Sequence, residues 1–151
     1  MYTDRLPPHN EDAEEAVLGS LLIDDDHAWP AVKDWLKPEH FYRDRNRWCY
    51  EACIRLAQKG MAIDQVTMCH ELDLMGKLDE CGGSAYSSHL VAIIPTPLHV
   101  VHYARIIVEC WERRRAILRA GEEIGDAYEG KRPADEMARF RKTMKRMKEL
   151  K

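Results

Sequence analysis

The sequence predicts an all-α protein in which a small helical globule is followed by a long helical hairpin. Apolar residues recur every three or four positions through most of the 151 residues, which is the period of an amphipathic helix. The chain contains two phenylalanines and few runs of β-branched residues, so it offers little material for a β-sandwich. Its length suits one domain, or one domain with an appendage.

The first predicted helix runs to about Ile23. Asn10 or Asp12 can cap its first turn, because either side chain can accept a hydrogen bond from a free backbone N–H. The acidic run 24–26 ends the helix. One side of the helix is apolar and should face the core. The residues of this side are Ala13, Val17 and Leu21, with Leu18 and Leu22 beside them.

Two further helices are predicted before residue 60. Pro30 fits the first turn of a short helix that ends near Leu36, since the N–H that proline lacks is unused at that position. A longer helix runs from Asp44 to Lys59 and ends at Gly60, a favourable C-cap. Its apolar side consists of Trp48, Cys49, Ala52, Cys53 and Leu56.

Two more helices complete the predicted globule. The first is opened by Asp64 and ends near Met75. Ser84 caps the second, which follows a glycine turn and runs through Ile94, where the segment Pro-Thr-Pro breaks the chain. The residues that the first of these helices should bury are Val66, Cys69 and Leu72.

The last third of the chain is predicted to form two long helices. The segment 98–129 is apolar on more than one side and therefore needs more than one packing partner. The sequence leaves open whether this helix is interrupted near Gly121 or Gly125. After a short connection, the segment 135–151 carries a narrow heptad-like seam. A short connection favours an antiparallel hairpin. The seam residues are Met137, Phe140, Met144, Met147 and Leu150.

These elements predict three regions: a flexible N-terminal arm over residues 1–10, a helical globular subdomain over 11–96, and a helical hairpin over 97–151 that leads toward a linker. Charge divides the chain differently. Residues 1–130 hold 14 basic and 23 acidic side chains, whereas residues 131–151 hold 9 basic and 3 acidic ones. An acidic body with a basic tail is not typical of a dedicated reader of duplex DNA.

The sequence predicts no catalytic, cofactor or metal site. Residues 125–131 satisfy the GxxxxGK pattern of a phosphate-binding loop, but Arg132 stands where the magnesium-binding Ser or Thr is needed, and the segment follows a helix instead of a strand. His99 and His102, or Cys49 and Cys53, could be taken for metal ligands. No pair has the loop spacing of structural zinc, and small apolar core cysteines explain the pattern better.

Five cysteines without a CxxC pattern fit a reducing compartment. No stretch approaches the roughly 18 apolar residues of a membrane helix, and the N-terminus lacks the apolar region of a signal peptide. We therefore expect a cytoplasmic protein without a membrane partner.

The segment 41–48 alternates aromatic residues with arginines and could bind a single nucleic-acid strand by stacking. The favoured interpretation is structural: Phe41 and Trp48 enter the core, and the arginines pair with neighbouring acids.

Four blocks of sequence together resemble a known family over about residues 5–130. In order they are RLPPHNEDAEEAVLGSLLID, PEHFYRDRNRWCYEACIRLAQKG, AIDQVTMCHELDLMGKLDECGGSAYSSHL and AIIPTPLHVVHYARIIVECWERRRAI. This order is similar to that of the N-terminal domain of bacterial replicative DNA helicases, the DnaB family. The family's fold, a small helical globule followed by a helical hairpin, is the arrangement that the helical pattern predicts on its own. The basic tail 131–151 departs from the family pattern.

The resemblance implies a non-catalytic collar domain on a hexameric helicase ring. Such domains pair through the hairpin into dimers, three of which form a ring. They also dock the C-terminal domain of primase during DNA replication and influence the helicase loader, and they meet DNA only indirectly, through the ring. ATP and Mg²⁺ would belong to a separate motor domain that is absent from these 151 residues, so we expect no enzymatic activity and no cofactor in this chain.

The resemblance also implies which residues face primase: Tyr86, Ile117 or Leu118, and Ile124. Apolar surface on the two long helices marks further residues for self-association. These candidates are Val100, Tyr103, Ile107, Trp111, Phe140 and Met144. Two other functions stay open: a free-standing helicase adaptor or inhibitor of the same fold, and a single-stranded nucleic-acid-binding module that uses residues 41–48 and the basic tail.

Overall fold

The chain is all-α, as predicted. The structure, a computed structural model, describes residues 5–94, 96–131 and 134–150. No strand occurs among these residues, and short 3₁₀ turns lie at Pro38–His40 and Pro97–His99. The α-helices are α1 (Glu11–Ile23), α2 (Asp25–Val32), α3 (Asp44–Gln58), α4 (Gln65–Leu74), α5 (Leu78–Cys81), α6 (Gly83–Ala92), α7 (Val100–Tyr128) and α8 (Ala134–Glu149).

The chain divides into two compact units, Met1–Glu112 and Arg113–Lys151, so α7 begins in the first unit and ends in the second. Parts of three predicted features lie outside the described residues: the first four residues of the N-terminal arm, Pro95 of the break after α6, and residues 132–133 of the hairpin turn. Among the described residues, no single helix is long and apolar enough to cross a membrane. Helices 83–92 and 97–128 reach that apolarity only when joined across a sharp bend.

Helix α1 confirms its prediction closely. The Asn10 side chain accepts a hydrogen bond from the Ala13 N–H at 2.9 Å, which caps the first turn. All five residues of the predicted apolar side are buried in the core of the first unit. Local capping and apolar periodicity were therefore sufficient to place this helix.

Helix α2 differs from its prediction, because it begins five residues before Pro30. The Asp24 carbonyl accepts a hydrogen bond from the Ala28 N–H at 2.9 Å, so the acidic run that ends α1 also starts α2. Aspartates in the first turn favour this start, since the helix N-terminus carries a partial positive charge. Asp25 also accepts the backbone N–H of Ile63 at 2.8 Å, a contact between segments distant in sequence.

Helix α3 ends at Gln58, one residue before the predicted Lys59, which is its C-cap, and Gly60 takes a left-handed conformation with φ of +67°. On its predicted apolar side Trp48 is half-buried, while the other four residues are buried. Helix α4 has the predicted N-cap: Asp64 accepts the N–H of Thr67, and the Thr67 hydroxyl accepts the N–H of Asp64, both at 2.9 Å.

The predicted buried side of α4 was partly wrong. Leu72 is buried, but Val66 is 78% exposed and Cys69 is half-buried. Met68 and Glu71 are buried in their place, and the Glu71 carboxylate is compensated by Lys59, whose Nζ lies 2.6 Å away. A buried glutamate whose partner follows the end of another helix is not visible in the local apolar pattern.

The glycine turn was also assigned wrongly, because a short helix, α5, precedes it. Gly82, with φ of +101°, joins α5 to α6, which begins at Gly83 without a side-chain cap from Ser84. In the last third, α7 passes through Gly121 and Gly125 without interruption. Helix α8 begins within a residue of its predicted start and carries the predicted seam.

Helix α1 packs very closely on α6 through Gly19. A Cβ atom at this position would lie 2.3 Å from the Leu90 carbonyl oxygen and 2.4 Å from Ile94 Cγ1. Because the first of these atoms belongs to the backbone of a helix, it cannot move aside cheaply. Glycine at this position therefore sets the distance between the two helices.

We expect Gly19→Ala to lower the free energy of unfolding by about 1–3 kcal/mol, the usual cost of overpacking a core. Gly121→Ala is the control, because Gly121 lies in a helix with nothing within 4 Å of the added Cβ. It should raise helix stability by about 0.5–1 kcal/mol. Urea unfolding followed by circular dichroism measures both, and a Gly19→Ala protein as stable as wild type would contradict the close contact.

Candidate protein-interaction surface

The second unit exposes a set of large apolar side chains on both of its helices. In α7 they follow the spacing of one helix side: Ile117, Ile124 and Tyr128 lie seven and four residues apart. Ile117 and Ile124 are each 59% exposed. We call this set the hairpin apolar surface, and its members are Ile117, Leu118, Ile124, Tyr128, Phe140, Met144 and Met147.

The second unit has no core of its own among its described residues. None of the side chains in 113–131 and 135–150 is buried, and only Arg114, Asp126 and Met137 are half-buried. The two helices therefore gain little stability from packing within the unit. Isolated helices are only marginally stable in water, so these helices would gain from packing against a partner. Large exposed apolar side chains that recur on one side of a helix are typical of a protein interface.

The predicted primase-facing residues fall into two classes. Ile117, Leu118 and Ile124 belong to the hairpin apolar surface and are accessible to a partner. Tyr86 instead lies in the core of the first unit and is 7% exposed, which corrects its assignment as a surface residue.

Tyr86 is held in place by polar contacts. Its hydroxyl donates to Asn46 Oδ1 and lies 3.5 Å from a Glu15 oxygen, and the Arg45 guanidinium lies 4.2 Å from its ring centroid. Burial raises the pKa of the Tyr86 hydroxyl, so it stays protonated and able to donate. A direct contact with a partner would have to break this network.

The self-association candidates divide in the same way. Val100 and Ile107 are buried in the core of the first unit, which corrects their assignment to an interface. Trp111 is half-buried and meets the edge of His40 at a ring distance of 4.7 Å. Phe140 is 43% exposed and Met144 is 40% exposed, so both are available to a partner.

Tyr103 is half-buried and lines a groove of about 450 Å³ in the first unit, together with Ile93, Ile94 and Ile106. At the edge of the groove, Glu15 and His89 are paired with each other at 2.9 Å. Tyr103 is therefore accessible from this groove.

The segment 41–48 has the structural role that the favoured interpretation predicted. Phe41 is buried against Tyr50, and Trp48 is half-buried with the Lys77 ammonium 4.5 Å from its ring centroid. The arginines pair with acids: Arg43 and Arg45 with Glu11 at 3.0 and 3.1 Å, and Arg47 with Asp44. These aromatic rings and guanidinium groups are used within the fold.

The GxxxxGK segment does not have the geometry of a phosphate-binding loop. Residues 125–128 form the last turn of α7, and the Glu129 N–H donates to the Gly125 carbonyl at 3.1 Å. A loop that binds phosphate must turn its N–H groups toward the ligand. The ammonium of Lys131 is also occupied, since it lies 2.6 Å from a Glu129 carboxylate oxygen.

Within 5–94, 96–131 and 134–150, no three His, Cys, Asp or Glu side chains are grouped in a way that could hold a metal ion. Cys49, Cys53 and Cys81 are buried, and burial raises the pKa of Cys53 to about 12. That thiol is therefore neutral at physiological pH and behaves as a small apolar core residue.

Comparison with known proteins shows the family to which this chain belongs. A model of the DnaB-like helicase N-terminal domain matches residues 6–109. The replicative DNA helicase DnaB of Geobacillus stearothermophilus is 38% identical over 128 residues, and the replicative DNA helicase DnaC of Bacillus subtilis (strain 168) is 34% identical over 128 residues. In both cases the match covers 85% of this chain but 28% of the relative, so the chain spans under a third of these proteins.

Two solved structures share the fold. The crystal structure of the N-terminal domain of DnaB helicase from Mycobacterium tuberculosis superposes with a TM-score of 0.78 at 33% identity, over 82% of this chain and 88% of that one. A DnaB-like replicative helicase, described with its interactions with primase, superposes with a TM-score of 0.67 at 28% identity, over 79% of this chain and 28% of that one.

Proposed function

We propose that this chain, which belongs to the DnaB-like helicase N-terminal domain family, is the non-catalytic collar domain of a replicative helicase. In this role it joins copies of itself through the hairpin and docks primase. The observation that carries the proposal is the hairpin apolar surface. It belongs to the second unit, in which no side chain among the described residues is buried.

Pairing of two hairpins would give this surface the cover that it lacks within one chain. Phe140 and Met144 lie four residues apart on α8, the spacing that brings side chains to the same side of a helix. Ile117 and Ile124 lie seven residues apart on α7, which also places them on the same side of their helix. A two-fold arrangement would let the same residues meet in both copies, as closed dimer interfaces require. Three such dimers would form the ring that the family resemblance implies, with the helicase loader as a further partner.

We expect Phe140→Gln to weaken self-association about tenfold, or about 1.4 kcal/mol, because glutamine keeps helix propensity but removes apolar burial. Val66→Gln is the matched control, since Val66 is an exposed apolar helix residue of the first unit and should not affect pairing. Sedimentation equilibrium measures both constants. A wild-type chain that stays strictly monomeric at high micromolar concentration would overturn the pairing proposal.

Primase is the proposed second partner. One structural relative is described with its interactions with primase, and this chain presents accessible Ile117, Leu118 and Ile124 on its hairpin. Protein interfaces of this kind draw most of their binding energy from a few apolar or aromatic anchors. We therefore assign anchor roles to these three residues and leave Tyr86 to the core.

Ile124→Ala should weaken binding of the C-terminal domain of the cognate primase by about 1 kcal/mol or more, without lowering the melting temperature, because Ile124 is exposed. Tyr86→Phe should do the reverse: it removes a buried donor and lowers the melting temperature. Calorimetric titration and thermal melting, run on both variants with Val66→Ala as control, separate the two effects. The docking role fails if wild type does not bind at about 50 mM salt, or if Ile124→Ala loses stability together with binding.

We also propose that nucleotide hydrolysis, with its ATP and Mg²⁺, belongs to a part of the helicase other than these residues. The support is that the GxxxxGK segment is the end of a helix and that its lysine is paired with Glu129.

The purified chain should therefore hydrolyse no ATP above background, and Lys131→Ala should change nothing in a phosphate-release assay. Hydrolysis that disappears in Lys131→Ala would show that this segment can rearrange into a phosphate-binding loop, and the non-catalytic assignment would fall.

A further inference from the structure

Helix α8 carries six exposed basic side chains that have no acidic partner among the described residues. These unpaired charges contrast with those at the start of α3 in the first unit, where Arg43, Arg45 and Arg47 are each paired with a carboxylate. The positive charge of α8 is therefore not used to hold the helix in place. We call these side chains the α8 basic face, and they are Arg139, Arg141, Lys142, Lys145, Arg146 and Lys148.

The basic face and the apolar seam lie on different sides of α8. With 3.6 residues per turn, the six basic residues occupy about half of the helix circumference, and Met137, Phe140, Met144 and Met147 occupy the other side. A partner that covers the apolar seam therefore leaves the basic face in solvent. The surface is available both to a free chain and to a chain paired through the hairpin.

The arrangement of these charges opposes the helix that carries them. Arg141 and Lys145 lie four residues apart, as do Lys142 and Arg146, and like charges at this spacing destabilise a helix. The second unit as a whole has 13 basic and 7 acidic residues in its sequence. A bound polyanion would remove this repulsion and stabilise α8.

We propose that the α8 basic face binds the phosphate backbone of nucleic acid without regard to sequence. The face extends over ten residues from Arg139 to Lys148, or about 14 Å. Six cationic side chains along this length can neutralise about four phosphates of one strand, whether that strand is single or paired. Contacts of lysine and arginine with phosphate position a nucleic acid and carry no sequence information directly.

The acidic surface of a second copy is a less suitable ligand for this face. The first unit has 19 acidic residues against 10 basic ones, but they are spread over its helices from α1 to α7. Several are already occupied, since Glu11, Glu14 and Glu15 bind groups of α3. A nucleic-acid backbone instead presents regularly spaced charge along a line, as the basic face does. The proposal goes beyond the collar role, in which contact with DNA was expected only through the ring.

The test is the binding of fluorescently labelled dT30, measured by anisotropy between about 50 and 300 mM NaCl. The triple variant Arg141→Gln, Lys145→Gln, Lys148→Gln removes half of the basic face and keeps good helix formers. Lys33→Gln, Lys37→Gln, Arg55→Gln is the matched control, because it removes the same charge from exposed residues of the first unit. Thermal melting and sedimentation are measured on both variants.

For wild type we expect log K to fall with log salt at a slope of about −3, the value for about four phosphates on a single strand. The α8 variant should bind about tenfold more weakly at low salt, with a slope of about −1.5. The control should keep the wild-type slope. The α8 variant should keep wild-type association and melt no lower than wild type, because it removes the repulsion between Arg141 and Lys145. This outcome separates the proposal from hairpin pairing.

Four results would overturn the proposal. The first is no binding of dT30 by wild type at 50 mM salt, and the second is an equal loss of affinity in the control variant. The third is competition by polyglutamate as strong as that of unlabelled dT30, which would reveal a general polyanion surface. The fourth is a loss of binding that accompanies a lower melting temperature or weaker association.

Discussion

The buried carboxylate of Glu14 is the contact on which the first unit depends. Glu14 is 2% exposed, and its oxygens accept the backbone N–H groups of Tyr42 and Arg43 at 3.1 Å. Helix α3 has no side-chain cap of its own at Arg43, so a residue of α1 supplies the missing acceptor. The positive end of the α3 dipole stabilises the carboxylate in return. A charge that would be costly to bury alone thus joins the start of α3 to α1.

The same contact is linked to α6 through a chain of polar side chains. Asn46 Nδ2 donates to Glu14 at 3.4 Å, and Asn46 Oδ1 accepts from the Tyr86 hydroxyl in α6. Glu15, next to Glu14 in sequence, binds Arg45 of α3 and His89 of α6. Two adjacent glutamates of α1 therefore position both α3 and α6, and a buried network of this kind specifies one packing arrangement. This network explains why the arginine-rich segment and Tyr86 serve the fold.

The sequence predicted those features that depend on neighbouring residues. Asn10 and the Asp64–Thr67 pair cap helices within three residues of themselves, and Gly60 ends α3 with its own left-handed backbone. Features decided by distant partners were missed or misassigned. The apolar pattern predicted that Val66 is buried, whereas the structure buries Glu71, whose partner Lys59 follows the end of α3.

The candidate interaction surface was also predicted only where it depends on neighbouring residues. Exposure of Ile117, Ile124 and Phe140 could be anticipated, because these helices carry more apolar surface than one chain can cover. The burial of Tyr86, Val100 and Ile107 could not, because periodicity marks an apolar side without telling whether a partner or the chain's own core covers it. Local sequence thus locates a helix better than it locates what the helix touches.

The two units differ in how completely their side chains are used. In the first unit, acids and arginines pair with one another and the apolar sides of the helices meet in a core. In the second unit, the hairpin apolar surface and the α8 basic face are both exposed, and no side chain among the described residues is buried. The family match ends at residue 109, close to the end of the first unit at residue 112. What the chain shares with the family model is therefore mainly the self-contained unit, and the proposed partner-binding surfaces lie in the hairpin. Since α8 carries its apolar seam and its basic face on different sides, the proposed protein partner and the proposed phosphate backbone would not compete for the same side of the helix.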